Sequence, residues 1–128
     1  GAEHTSTLGT VNNLGLLYQN QGKLAKAEEM LQRALNGYKT LGAEHTTTLS
    51  IVNNLGVLYK DQGKPAEAEE MYQRALKGYE KALGAEHPLT LNTVSNLGAL
   101  YQNQGKLAKA EEMYQRALKG KEKADRIR

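Results

Sequence analysis

One short string sets the terms for this chain because it returns. "GAEH" begins at Gly1, Gly42 and Gly84, giving periods of 41 and 42 residues. The second and third copies agree at about 30 of 42 positions. A period between 20 and 50 residues marks a solenoid, in which each copy is one supersecondary unit that buries its apolar face on the next. Residues 1–128 therefore read as a single repeat domain of three units: 1–41, 42–83 and 84–128, the last with a charged C-terminal end. Three units are about the minimum that such stacking can stabilise.

Within each unit the apolar residues fall at helical spacing. In the first, Leu8, Val11, Leu14, Gly15 and Tyr18 follow steps of three or four. Then "NQGK" intervenes, with Gly22 placed to take the left-handed conformation that ends a helix. A second stripe runs through Leu24, Ala27, Leu31, Ala34, Leu35 and Tyr38. Pro65 and Pro88 fit the first turns of later helices, where a missing N–H costs nothing. Each unit is thus an antiparallel helix pair, and the fold class is all-α.

Small residues recur where two helices must approach: Gly15, Gly56 and Gly98 on first helices, Ala27, Ala68 and Ala110 on second ones. A mid-helix Gly costs about 1 kcal/mol relative to Ala. Its return at one position in every copy predicts that a Cβ there would meet the partner helix. Gly37, Gly78 and Gly120 fall inside the second helix. They either admit the neighbouring unit or mark a bend; close approach is favoured.

The pattern resembles the tetratricopeptide repeat. Its signature is matched by Val11, Leu14-Gly15, Tyr18, Ala27, Leu31 and Ala34, and in phase by Val52, Leu55-Gly56, Tyr59, Ala68, Tyr72 and Ala75. The third copy has Val94, Leu97-Gly98, Tyr101, Ala110, Tyr114 and Ala117. The usual unit is about 34 residues and closes with a Pro, where this chain has Lys39, Glu80 and Glu122. The second helix can therefore run on through "GYEKAL", longer by up to about 12 Å. Units of this length resemble those of kinesin light chain and of fungal nucleotide-binding receptor arrays. The resemblance implies a right-handed superhelical solenoid of helix-turn-helix units with extended second helices. It also implies a protein-interaction scaffold, without catalysis, whose first helices line a concave groove.

The side of the first helix opposite the apolar stripe carries Asn13, Leu16 and Asn20, with Asn12 beside them. The matching strips are Ser50, Asn53, Asn54, Val57, Lys60 and Asp61, then Asn92, Asn96, Ala99 and Asn103. A column of Asn13, Asn54 and Asn96 would offer donors and acceptors suited to the backbone of an extended peptide. The same asparagines could instead bond to one another, to a neighbouring helix or to water. Lys60 is the only basic residue of the strip and stands beside Asp61, so capture of an acidic tail is not expected.

A second reading concerns the ends. Leu107, Tyr114 and Leu118 remain apolar with no following unit, and the last second helix would accept a first helix bearing residues such as Leu8 and Val11. Head-to-tail stacking or exchange of a helix pair would follow, making the chain a self-associating array segment, or a consensus-like piece with no ligand of its own. The start at Gly1, without Met, fits an excised piece.

Other classes find little support. Net charge is +3, from 17 basic and 14 acidic residues. The excess is concentrated at Lys119, Lys121, Lys123, Arg126 and Arg128, without interleaved aromatics, which argues against nucleic acid. There is no Cys, in keeping with a reducing cytoplasm, and no apolar run long enough for a membrane span. His4, His45 and His87 occur once per unit, too far apart to converge on a metal ion; they fit N-caps instead. No cofactor motif is present, and Ser6, Ser50 and Ser95 lack triad partners.

Overall fold

The computed structural model describes residues 5–42 and 45–127. They form α1 (Thr5–Asn20), α2 (Leu24–Tyr38), α3 (Thr46–Asp61), α4 (Pro65–Leu83), α5 (Pro88–Asn103) and α6 (Leu107–Ile127), with no strand among the described residues. α1 pairs with α2, α3 with α4 and α5 with α6; α2 packs on α3, and α4 on α5. The result is a helical repeat solenoid, in which the second helix of each unit packs on the first helix of the next.

The turn inside each unit is the same hydrogen-bonded motif. Gly22, Gly63 and Gly105 have φ of 77°, 75° and 76°, a region open to glycine without steric cost. The N–H of Lys23 reaches back to the Tyr18 carbonyl at 2.8 Å and that of Gly22 to Gln19 at 3.0 Å. These two bonds satisfy carbonyls that the end of a helix would otherwise leave unpaired. The Lys after the glycine also folds over the preceding ring: Lys23 over Tyr18, Lys64 over Tyr59 and Lys106 over Tyr101.

Helix starts follow the sequence as well. Pro65 and Pro88 occupy the first turns of α4 and α5. His45 and His87 cap α3 and α5: their Nδ1 atoms accept the N–H groups of Thr47 and Leu89 at 3.2 and 3.1 Å. The corresponding cap at His4 lies outside the described residues, as does Arg128.

The glycines on first helices do mark close approach. A Cβ on Gly56 would lie 2.6 Å from the ring of Tyr72, and one on Gly98 2.9 Å from that of Tyr114. Gly37, Gly78 and Gly120 also serve close approach, but the neighbour is the first helix of their own unit. A Cβ at these positions would strike Leu8, Leu49 and Leu91 respectively. α4 runs straight through Gly78 as one helix of 19 residues. The long second helix is realised in α4 and α6, whereas α2 ends at Tyr38 in a single 3-10 turn, Lys39–Leu41. The first unit is one residue shorter than the second, and the Thr40 hydroxyl donates to the Gly37 carbonyl at 2.9 Å, drawing that turn tight.

The core forms two clusters, with the half-buried Tyr59 packed against both. One joins Leu8, Val11, Leu31, Leu35, Ile51, Leu55 and their neighbours across α1 to α4; the other joins Tyr72, Leu76, Val94, Leu97 and Tyr101 across α4 to α6.

Candidate functional site

The first helices α1, α3 and α5 lie in series, tied by side chains. The Gln19 amide donates to Asp61 Oδ2 at 3.1 Å, linking α1 to α3. Asn53 Oδ1 accepts from Thr93 Oγ1 and from Asn96 Nδ2, both at 3.3 Å, linking α3 to α5. The matching Asn12 Oδ1 is buried and has no hydrogen bond among the described residues. The position on α3 that corresponds to Thr93 is Ile51, which has no hydroxyl to donate.

The polar strip is therefore divided between two uses. Asn53 and Asn96 bond to each other, and Asp61 is taken by Gln19. Asn13, Asn20, Ser50, Asn92 and Asn103 are exposed, while Asn12, Leu16, Asn54, Lys60 and Ala99 are half-buried. Val57 is half-buried and packs against the second core cluster. The column of Asn13, Asn54 and Asn96 is thus not uniform, since one of the two N–H donors of its third member is already used.

The two end faces differ from the interior joints. On α6, Leu107, Tyr114 and Leu118 are 66%, 39% and 58% exposed. Together with Ala110, Glu111 and Gln115 they line an open groove of about 430 Å³. At the other end, Leu8 and Val11 do not form the outward face, because both are buried against α2 in the core of their own unit. The face that α1 presents is found by comparison with α3, whose Thr48, Ile51 and Leu58 are buried. The corresponding α1 residues, Thr7, Thr10 and Leu17, are exposed. Leu17 is 50% exposed where Leu58 is 0%.

Polar contacts across the interior joints were not evident from helical spacing. Gln62 Nε2 donates to Glu28 Oε1 at 3.1 Å, and Gln32 Nε2 to the Tyr59 hydroxyl at 3.0 Å. At the next joint the Tyr101 hydroxyl donates to Glu69 Oε2 at 2.7 Å. Burial raises the Tyr101 phenol above its ordinary value, and the bond to Glu69 adds to this. Tyr59 is raised by burial, with the Gln32 bond opposing, and Tyr72 is raised strongly by burial. The signal that could have found these contacts is phase: Tyr18/Tyr59/Tyr101, Gln21/Gln62/Gln104 and Glu28/Glu69/Glu111 recur in every copy.

No three His, Asp or Glu side chains converge as a metal-binding set among the described residues. No helix there is long and apolar enough to cross a membrane.

The tetratricopeptide repeat family profile matches residues 6–81 and, in a second register, 48–123. The chain belongs to the tetratricopeptide repeat family. Among solved structures it is similar to BtubC (BKLC) from P. vanneervenii, at 29% identity and a TM-score of 0.85 over 91% of this chain and 46% of that one. It is similar also to the nearly identical TPR-like repeats of a putative kinesin light chain from Podosopora anserina. There the identity is 29% and the TM-score 0.82, over 98% of this chain and 60% of the other. A variant of that protein gives 28% and 0.85. The N-terminal domain of stress-induced protein-1 from C. elegans shares the fold, with a TM-score of 0.71 at 21% identity, over 91% of this chain and 85% of that one. The chain thus spans about half to three fifths of the kinesin light chain-like structures it matches. No curated protein sequence matches it at a significant level.

Proposed function

We propose that this repeat domain is a non-catalytic scaffold whose first helices line a groove for an extended peptide or protein segment, in a cytoplasmic setting. Tetratricopeptide repeats are in general protein-interaction scaffolds, and membership of that family supports the broad reading. The observation that carries the finer one is the lateral tying of α1, α3 and α5. Gln19–Asp61 and Asn53–Asn96 fix the spacing of the three helices, while Asn13, Asn92 and Asn103 still face outward. Recognition would rest on the peptide backbone, because Lys60 is the only cation on the strip and its neighbour Asp61 is held by Gln19. The two described histidines act as helix caps.

The test is a screen against a library of extended peptides, followed by titration of a selected binder. Replacing Asn13 and Asn54 together by Ala is expected to weaken that binder roughly thirtyfold, the loss of about two neutral hydrogen bonds at about 1 kcal/mol each. Unchanged affinity in the double variant overturns the groove reading.

A second reading, self-association through the ends, is favoured by the exposed row Leu107, Tyr114 and Leu118. A surface helix normally keeps such residues inward.

A further inference from the structure

Resting on the self-association reading, we propose that a second copy of this chain is the partner of the α6 groove, docking its α1 there in the register of the interior joints. The stack is head to tail and open-ended. The argument is one of continuity: the molecule already contains this interface twice, as α2 on α3 and α4 on α5.

Of the three apolar groove residues, Tyr114 and Leu118 have counterparts on α4 that are buried at the joint. Leu107, Tyr114 and Leu118 stand where Pro65, Tyr72 and Leu76 stand on α4. Tyr72 and Leu76 are only 1% and 5% exposed once α5 covers them. The α1 face that would arrive offers Thr7, Thr10 and Leu17 where α5 offers Thr90, Thr93 and Leu100, all three of which are buried at their joint. The incoming residues are thus identical to their counterparts on α5.

The polar parts match too. Glu111 and Gln115 on the groove occupy the places of Glu28 and Gln32, which meet Gln62 and Tyr59 across the first joint. On α1 those partners are Gln21 and Tyr18. Gln62 Nε2 and the Tyr59 hydroxyl, the counterparts of those groups on Gln21 and Tyr18, are already bonded across the first joint, which lowers the penalty of burying these polar atoms, while the Oε1 atoms of Gln62 and Gln104 stay buried without a hydrogen bond among the described residues.

The two large changes near this end, Lys121 for tyrosine and Asp125 for Leu83, lie outside the residues that line the groove. Lys121 replaces the tyrosine seen at Tyr38 and Tyr79, but that side chain serves its own unit: the Tyr38 hydroxyl donates to the Thr5 carbonyl on α1. An interface between two different surfaces has no symmetry that closes it, so addition continues at both ends.

The test uses the intact chain and two variants, Leu17→Glu and Leu118→Glu, each placing a charge on an exposed position of one face. Circular dichroism confirms that both keep the helical fold. In sedimentation velocity across a concentration series, the unaltered chain is expected to grow into larger species without a plateau. Each variant alone is expected to stay monomeric, and an equimolar mixture of the two to form dimers and nothing larger, because each supplies the face the other lacks. An unaltered chain that remains monomeric throughout overturns both this pairing and the self-association reading. Association that persists in either variant alone, or a mixture that gives no dimer, overturns the pairing and leaves self-association by another route, such as helix exchange.

Discussion

The same eleven residues, "AEEMYQRALKG", occur at 68–78 in α4 and at 110–120 in α6, and they lead different lives. In α4 the tyrosine and the leucine are buried, as Tyr72 and Leu76; in α6 their counterparts, Tyr114 and Leu118, are 39% and 58% exposed. The small residues behave alike in both places, for Ala68, Ala75, Ala110 and Ala117 are all buried. The difference separates two layers of packing. One face of the helix is satisfied inside its own unit, and the other only by the first helix of the next. Local sequence sets which side chains could be buried, and the neighbour decides which of them are.

The largest test of that distinction is truncation of the two tyrosines. Tyr72→Ala is expected to cost about 3–5 kcal/mol in urea unfolding, the range for emptying a large buried aromatic site. Tyr114→Ala is expected to cost only about 1 kcal/mol, because the ring is partly solvated and its main polar tie is a bond from its hydroxyl to Gln102. Equal losses would erase the comparison.

The glycines probe the layer that the two helices share. Gly78→Ala should destabilise by about 1–3 kcal/mol as the new methyl strikes Leu49, despite the gain in helix propensity. Gly120→Ala should cost less, since its Cβ would lie 2.7 Å from Leu91 and the outer face of α6 is open to let the helix shift.

The caps come next in size. His87→Ala should remove about 1 kcal/mol, the usual worth of an N-cap side chain, with His87→Asn restoring most of it. Thermal melts of the pair measure this directly.

The smallest effect concerns the solvated end of α6. Lys123 bonds to Glu86 at 2.8 Å and holds that carboxyl below its ordinary value. A depressed carboxylate contributes stability that is present above the unfolded carboxylate range and is lost as pH falls through the lower folded value. Lys123→Met should therefore raise the Glu86 pKa toward the ordinary value, near 4.3. An NMR titration of its side chain shows whether it does, and the change in overall stability should be slight because both groups are largely in water.

Much of the architecture was legible because repetition makes local rules visible. The glycine turns, the proline starts, the histidine caps and the helix pairing each follow from one residue type at one phase. The direction of close approach at Gly78 was not legible: periodicity places the glycine on a face but does not say whether Leu49 or a neighbouring unit fills it. The outward face of α1 was misplaced for a related reason. Leu8 and Val11 are the most regular apolar residues of that helix, and regularity marks the packing shared by every unit, not the surface left open at an end. The candidate strip was legible as a row of amides. Its internal bonding was not, because Asn53 meets both Asn96 and Thr93 across two helices that spacing within one helix does not relate, and Thr93 differs from its α3 counterpart Ile51.

The most direct measurement is amide hydrogen exchange by NMR on dilute protein, comparing residues 68–78 with residues 110–120. If the next unit's first helix completes the burial of each second helix, the α4 copy should be protected by orders of magnitude more than the identical sequence in α6. Equal protection of the two copies would contradict the account.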